Sequence, residues 1–242
     1  MGSYRGALSG IYHRHLPGDK PLSLDVITLP PKSGQPPKGL LILLHGWGAN
    51  YHDLVGLSSY IDQPDYQFLF PNAPFPHPYA PGGRMWYGFP EDFAFHAESD
   101  LAQQGDREES KQLTESRRLL TEWLHSLEAT TGIPLSQTVL GGFSQGGAMT
   151  LDVGSQLPLA ALLVMSGYLH TPLASLDHPL PPTLLVHGRQ DPVVPLAAAR
   201  HTHNQLTHLH TPVTYQEFEM GHEIPADVLD TMQSFLSEIT LG

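Results

Sequence analysis

Residues 40–44 read Leu-Leu-Ile-Leu-Leu, an apolar run with no polar break. A strand exposed on one face would alternate. A short unbroken run predicts a strand buried on both faces, as in a parallel sheet. Short strands are also predicted at 66–70, where Pro71 ends the run, and at 138–142, 160–166, 183–187 and 213–218. Helical spacing predicts a helix over 108–129, with Leu113, Leu120, Trp123, Leu124 and Leu127 on one side and Gly132 and Pro134 as its stop. Further helices are predicted at 145–157, 195–209 and 225–236. The segment 30–39 is loop-like and lies between two strands, and 71–95 is a long stretch rich in proline and aromatic residues. Strands alternating with helices imply right-handed crossovers and a mainly parallel sheet covered on both faces. With no internal repeat and no linker, residues 1–242 are expected to form one α/β domain. Ligands of such sheets bind at the C-terminal strand ends, so chemistry is sought in the loops there.

Composition narrows the chemistry. The net charge of −12 works against the phosphate contacts a nucleic-acid binder needs, and against an anionic membrane surface. The chain has no cysteine, which excludes disulfides, zinc–thiolate sites and a cysteine nucleophile. The start, MGSYRGALSG, lacks the apolar run of a signal peptide, and Gly6 stands where a myristoylation motif wants Ser or Thr. No apolar stretch approaches the roughly 20 residues of a membrane span. A cytoplasmic location and no integral membrane association are expected; the oligomeric state is not legible.

The segment Gly142-Phe143-Ser144-Gln145-Gly146 fits G-x-S-x-G, between a predicted strand and a predicted helix. On such a turn the serine is lifted above the sheet edge, and side chains at the flanking glycines would strike backbone. The rival reading is a glycine-rich turn whose serine caps the helix. A serine nucleophile needs a base, and the base an orienting acid, in the chain order Ser, acid, His. Among 15 histidines position decides. His222 is the last of them and follows the strand at 213–218. Asp191 lies between a strand end and a helix start; Asp177, Asp152, Glu217 and Glu219 are less well placed. Two N–H donors must hold a tetrahedral oxyanion. The backbone of Gln145 is one candidate, and Trp47, in the loop His45-Gly46-Trp47-Gly48, is the other. The histidines at 201, 203, 208 and 210 invite a metal reading, but they lack a carboxylate or third ligand on their faces and read as a solvated helix. The aromatic residues Phe75, Tyr79, Trp86, Tyr87, Phe89, Phe93 and Phe95 fit either a satellite core or a substrate cleft. Trp47, Phe75, Trp86, Tyr87 and Val194 are the expected substrate contacts.

These residues together resemble the phospholipase/carboxylesterase group of α/β-hydrolases, which includes the acyl-protein thioesterases. The matching pieces are Leu43 to Gly48, Pro71-Asn72-Ala73-Pro74, Gly83 to Tyr87, Gly141 to Ala148, Ser166-Gly167, His187-Gly188 with Asp191 and Val194-Pro195, and Gly221-His222-Glu223. The resemblance implies an α/β-hydrolase fold without a large lid domain, no cofactor and no metal. It also implies a serine carboxylesterase with Ser144, Asp191 and His222 as triad and Trp47 and Gln145 as oxyanion donors. Two departures stand out: the group more often has Leu where Trp47 stands, and Asp where Ala49 stands. The bulk of Trp47 predicts small-molecule esters of short to medium chain as substrates, with thioesters and lysophospholipids also open. Long-chain thioester or lysophospholipid hydrolysis, peptidase or acyltransferase chemistry on the same triad, and a non-catalytic binding protein stay open as alternatives.

Overall fold

All five residues of the run 40–44 are buried in the computed structural model, which describes residues 24–89, 108–173 and 179–239. Leu40, Ile42 and Leu44 face one cluster of core residues and Leu41 and Leu43 another. The strand they form, β2 (Gly39–Leu44), lies inside a seven-stranded sheet. The others are β1 (Val26–Leu29), β3 (Tyr66–Pro71), β6 (Thr138–Phe143), β7 (Ala161–Met165), β8 (Thr183–Gly188) and β9 (Val213–Phe218), in the order β1-β3-β2-β6-β7-β8-β9. Every neighbouring pair is parallel except β1 with β3. A separate two-residue ladder joins β4 (Phe75–Pro76) to β5 (Arg84–Met85).

Helices cover both faces, as the alternation predicts. The face of Leu40, Ile42 and Leu44 is packed by α2 (Glu108–Thr131) through Leu113, Leu120, Trp123, Leu124 and Leu127, and by α3 (Gln145–Gly154) through Met149 and Val153. On the same side Leu206 of α4 (Leu196–His208) meets Leu151, Val164 and Leu185. The opposite face takes Leu54 of the short α1 (His52–Val55) and Val228, Leu229, Met232, Phe235 and Leu236 of α5 (Ala226–Glu238). Full burial of one such side chain is worth about 1.5–3 kcal/mol, so these rows carry the sheet-to-helix docking.

Three local expectations change. The helix expected over 145–157 stops at Gly154, and Leu157, which precedes Pro158, is disfavoured in α geometry. The strand β1 had been implied without bounds, and α1 with the β4–β5 ladder was not anticipated. Four and two residues are too few to show a period. Among the described residues no helix is long and apolar enough to cross a membrane. Asp177, Phe93, Phe95 and the first 23 residues lie outside the described part.

Candidate active site

Ser144 sits between β6 and α3 with φ 56° and ψ −119°, a backbone region that costs a non-glycine residue about 1–3 kcal/mol. Its neighbours hold it there: its N–H donates to the Met165 carbonyl at 2.9 Å, and its carbonyl accepts from Ala148 N–H at 3.0 Å. The flanking glycines are steric necessities. A Cβ on Gly142 would stand 2.3 Å from the Gly146 carbonyl, and one on Gly146 would stand 2.1 Å from the Leu44 oxygen. The turn thus threads between its own first helical residues and the end of β2.

The acid and the base come from the ends of β8 and β9. His222 Nδ1 lies 2.7 Å from Asp191 Oδ2. The other oxygen, Oδ1, accepts the N–H groups of Val193 and Val194, each at 2.8 Å. Burial of the Asp191 side chain works to raise its pKa, but the hydrogen bonds from His222, Val194 and Val193 outweigh it and hold the carboxyl below its usual range. The ionised carboxylate fixes the His222 proton on Nδ1 and leaves Nε2 as a lone-pair acceptor. His187 pegs the same loop. Its Nε2 donates to the Val194 carbonyl at 2.8 Å and lies 3.6 Å from Asp191 Oδ2, and burial pushes its pKa down.

The loop after β2 packs directly on the nucleophile, for a Cβ on Gly46 would stand 3.3 Å from Ser144 Cβ. A ring of hydrogen bonds sets this loop. The Ala73 N–H donates to His45 Nε2 at 3.0 Å, so the imidazole proton must sit on Nδ1, which donates to Gly46 O at 2.7 Å. Accepting the Ala73 N–H requires neutral His45, and burial lowers its pKa to about 4. On the far side, Gly48 N–H donates to Arg84 O at 2.9 Å and Arg84 N–H to Ala49 O at 2.7 Å, while the Trp86 indole N–H donates to His45 O at 3.0 Å.

The side chain of Gln145 closes this ring. Its Oε1 accepts Trp86 N–H at 2.9 Å and its Nε2 donates to Tyr87 O at 2.7 Å. The residue expected to serve through its backbone alone also ties the start of α3 to the segment that braces the loop. Tyr87 is anchored further by its hydroxyl, 2.6 Å from both Tyr168 Oη and His170 Nε2. Behind them Asp152, the acid read as less well placed, pairs with His170 Nδ1 at 3.1 Å and with Arg117. Burial would raise its pKa, but His170 and Arg117 overcome that and bring it to about 2.

The substrate expectations need correction. A cavity of about 370 Å³ adjoins Ser144 and His222, and Trp47 lines it. Its other apolar walls are Ala49, Leu54, Leu57, Phe143 and Ile224. Trp86, Tyr87 and Val194 are fully buried in the core, where backbone clamps and the polar chain behind Tyr87 hold them, and none of the three lines this cavity. Phe75 is half-buried in β4 and is not among the cavity's lining residues. The wall from α1 and the turn Gly56–Ser59 was missed; its one signal was Leu54 and Leu57, three residues apart, right after the glycine loop. A polar depression of about 330 Å³ between β9 and α5, lined by Thr214, Gln216 and Asp230, contains none of the expected residues.

A family model described as phospholipase/carboxylesterase matches residues 31–240. Acyl-protein thioesterase 1 of Neurospora crassa is 29% identical over 218 residues, which span 82% of this chain and 85% of that protein. Acyl-protein thioesterase 1 of Saccharomyces cerevisiae is 28% identical over 84% of this chain and 94% of its own length. The crystal structure of an esterase, PE8, matches with a TM-score of 0.80 and 33% identity, covering 90% of this chain and 100% of that one.

Proposed function

The chain belongs to the phospholipase/carboxylesterase family, and on that premise we propose that Ser144, His222 and Asp191 form its catalytic triad, with the N–H groups of Gln145 and Trp47 as the oxyanion hole. The protein is a carboxylic ester hydrolase, acting on esters or thioesters. His222 Nε2 takes the Ser144 hydroxyl proton as Oγ attacks the carbonyl carbon. The C=O electrons move onto oxygen, where the two N–H groups hold the charge. As the intermediate collapses, the bond to the leaving oxygen or sulfur breaks, and His222 returns the proton to it. Water then repeats the sequence on the acyl-enzyme, giving the free acid and restoring Ser144. The strained Ser144 turn, with His222 hydrogen-bonded to the ionised Asp191 carboxylate, carries this reading.

The finer proposal is a preference for small esters of short to medium acyl chain. A cavity of about 370 Å³ is its support, near the low end of the roughly 300–1,000 Å³ of ligand pockets. A single domain over residues 1–242 and a cytoplasmic location belong to the same proposal. The test is a panel of p-nitrophenyl esters and matched thioesters from C2 to C16 with wild type and Ser144→Ala, together with fluorophosphonate labelling. Labelling and turnover that both vanish in Ser144→Ala support the triad; an optimum at C16 would move the substrate to long acyl chains.

A further inference from the structure

Trp47 is 42% exposed, lines the cavity beside Ser144, and yet is held from two sides. Its ring meets Phe89 at a centroid distance of 5.7 Å and 64° between planes, and His77 at 4.1 Å and 74°. The closer partner is a histidine whose tautomer is set by its hydrogen bonds. His77 Nδ1 accepts the N–H groups of Tyr79 at 3.1 Å and Ala80 at 2.9 Å. Two donors aimed at one nitrogen require a lone pair there, so the ring proton sits on Nε2. That Nε2 is buried and has no hydrogen-bond partner among the described residues. Its Cδ2–Nε2 edge also faces the oxyanion loop, 3.6 Å from where a Cβ on Gly48 would stand. Buried donors are rarely left without a partner, and the electron-rich indole, its centroid 4.1 Å away and its plane at 74° to the imidazole, is the neighbouring ring that offers a weak N–H···π acceptor.

We propose that His77 is a positioning residue for substrate choice: it pins the Trp47 indole against Phe89 as a fixed wall of the acyl cavity, so the pair sets the longest acyl chain accepted. This rests on reading Ser144 as the nucleophile of that cavity. A pinned indole turns away chains that outgrow the cavity. A freed indole swings aside and admits further methylenes, each worth on the order of tenfold or more in discrimination.

Two substitutions separate the clamp from a merely structural role. His77→Asn places an amide oxygen where Nδ1 accepts the turn N–H groups but removes the edge that touches the indole. His77→Phe keeps a ring edge against the indole but gives up the turn acceptor. The readout is the ratio of kcat/KM for the C12 and C4 p-nitrophenyl esters. His77→Asn and Trp47→Leu are each expected to raise this ratio about tenfold, and His77→Phe to leave it near the wild-type value. The double variant His77→Asn/Trp47→Leu is expected to go no further than Trp47→Leu, because one wall is lost once. An unchanged ratio in His77→Asn, a raised ratio in His77→Phe, or full additivity in the double variant each overturns the proposal. Fluorophosphonate labelling of wild type keeps the two readings apart. If Ser144 is not labelled, the catalytic reading falls; if it is labelled and any of these overturning ratios is found, only the role of His77 falls.

Discussion

Asp191 and His222, 31 residues apart in the chain, meet at 2.7 Å, with the remaining Asp191 oxygen occupied by the amides of Val193 and Val194. Each carboxylate oxygen has a different task, one fixing the loop and one fixing the imidazole. Asp191→Asn keeps an oxygen for the two amides but presents an NH2 group to Nδ1, which forces the proton onto Nε2. We expect kcat to fall by roughly 10³ to 10⁴-fold with the fold intact. Steady-state kinetics with a matched melting curve tests this, and a loss under tenfold in a folded protein contradicts it.

The strain at Ser144 ties stability to activity. Ser144→Ala removes the attacking oxygen and keeps the φ of 56° on a residue with a Cβ. Ser144→Gly removes the oxygen and the strain together. Both are expected to lose several orders of magnitude in kcat, and the glycine variant to be more stable than the alanine variant by about 1 kcal/mol. Urea unfolding of the two variants measures the difference; equal midpoints would mean that the turn carries no strain.

Gln145 is expected to matter through its side chain as well as its backbone. Gln145→Met keeps the length but leaves Trp86 N–H and Tyr87 O without partners in a buried place. Each orphaned group costs about 1–3 kcal/mol, so the melting temperature falls. Because the loop carrying Trp47 loses its brace, kcat is expected to drop by about 10 to 100-fold, less than the roughly 10² to 10³ of deleting an oxyanion donor, with KM nearly constant. A folded Gln145→Met protein with wild-type kcat would show that the loop holds itself.

His45 gives the fold a defined acid sensitivity. Its folded pKa, about 4, lies below the ordinary 6.5 because burial disfavours the charged ring. Between those values the unfolded chain binds the proton and the folded chain does not, so stability falls as pH falls. The loss is about 2 kcal/mol by pH 5 and about 3 kcal/mol by pH 4, from 1.36 kcal/mol per unit. His187, also shifted down by burial, adds in the same direction. Asp152 and Asp191 lose their contribution only at lower pH, below the usual carboxylate value of 3.8. Urea midpoints at pH 7, 6 and 5 test the histidine window, and a flat series would rule it out.

The apolar run at 40–44 determined its strand, because a run buried on both faces needs no distant information to be recognised. The G-x-S-x-G turn was legible for a similar reason: its glycines answer clashes within a few residues of themselves, apart from Gly146 against Leu44. The types of the acid and the base, and their chain order, followed from the demands of serine chemistry. What the sequence by itself could not decide was which surface buries an aromatic residue. Trp86 and Tyr87 suit a core or a cleft equally well by composition. Only the clamp from Gln145, and the hydroxyl chain through Tyr168 and His170 to Asp152, puts them inside. Likewise the cavity wall of Leu54, Leu57 and Ile224 joins residues from opposite ends of the chain, and their meeting depends on β2, β6 and the strands beyond lying side by side in one sheet. Local pattern encodes how far a residue must be from water. Whether core or substrate removes the water is settled by which elements the sheet order brings together.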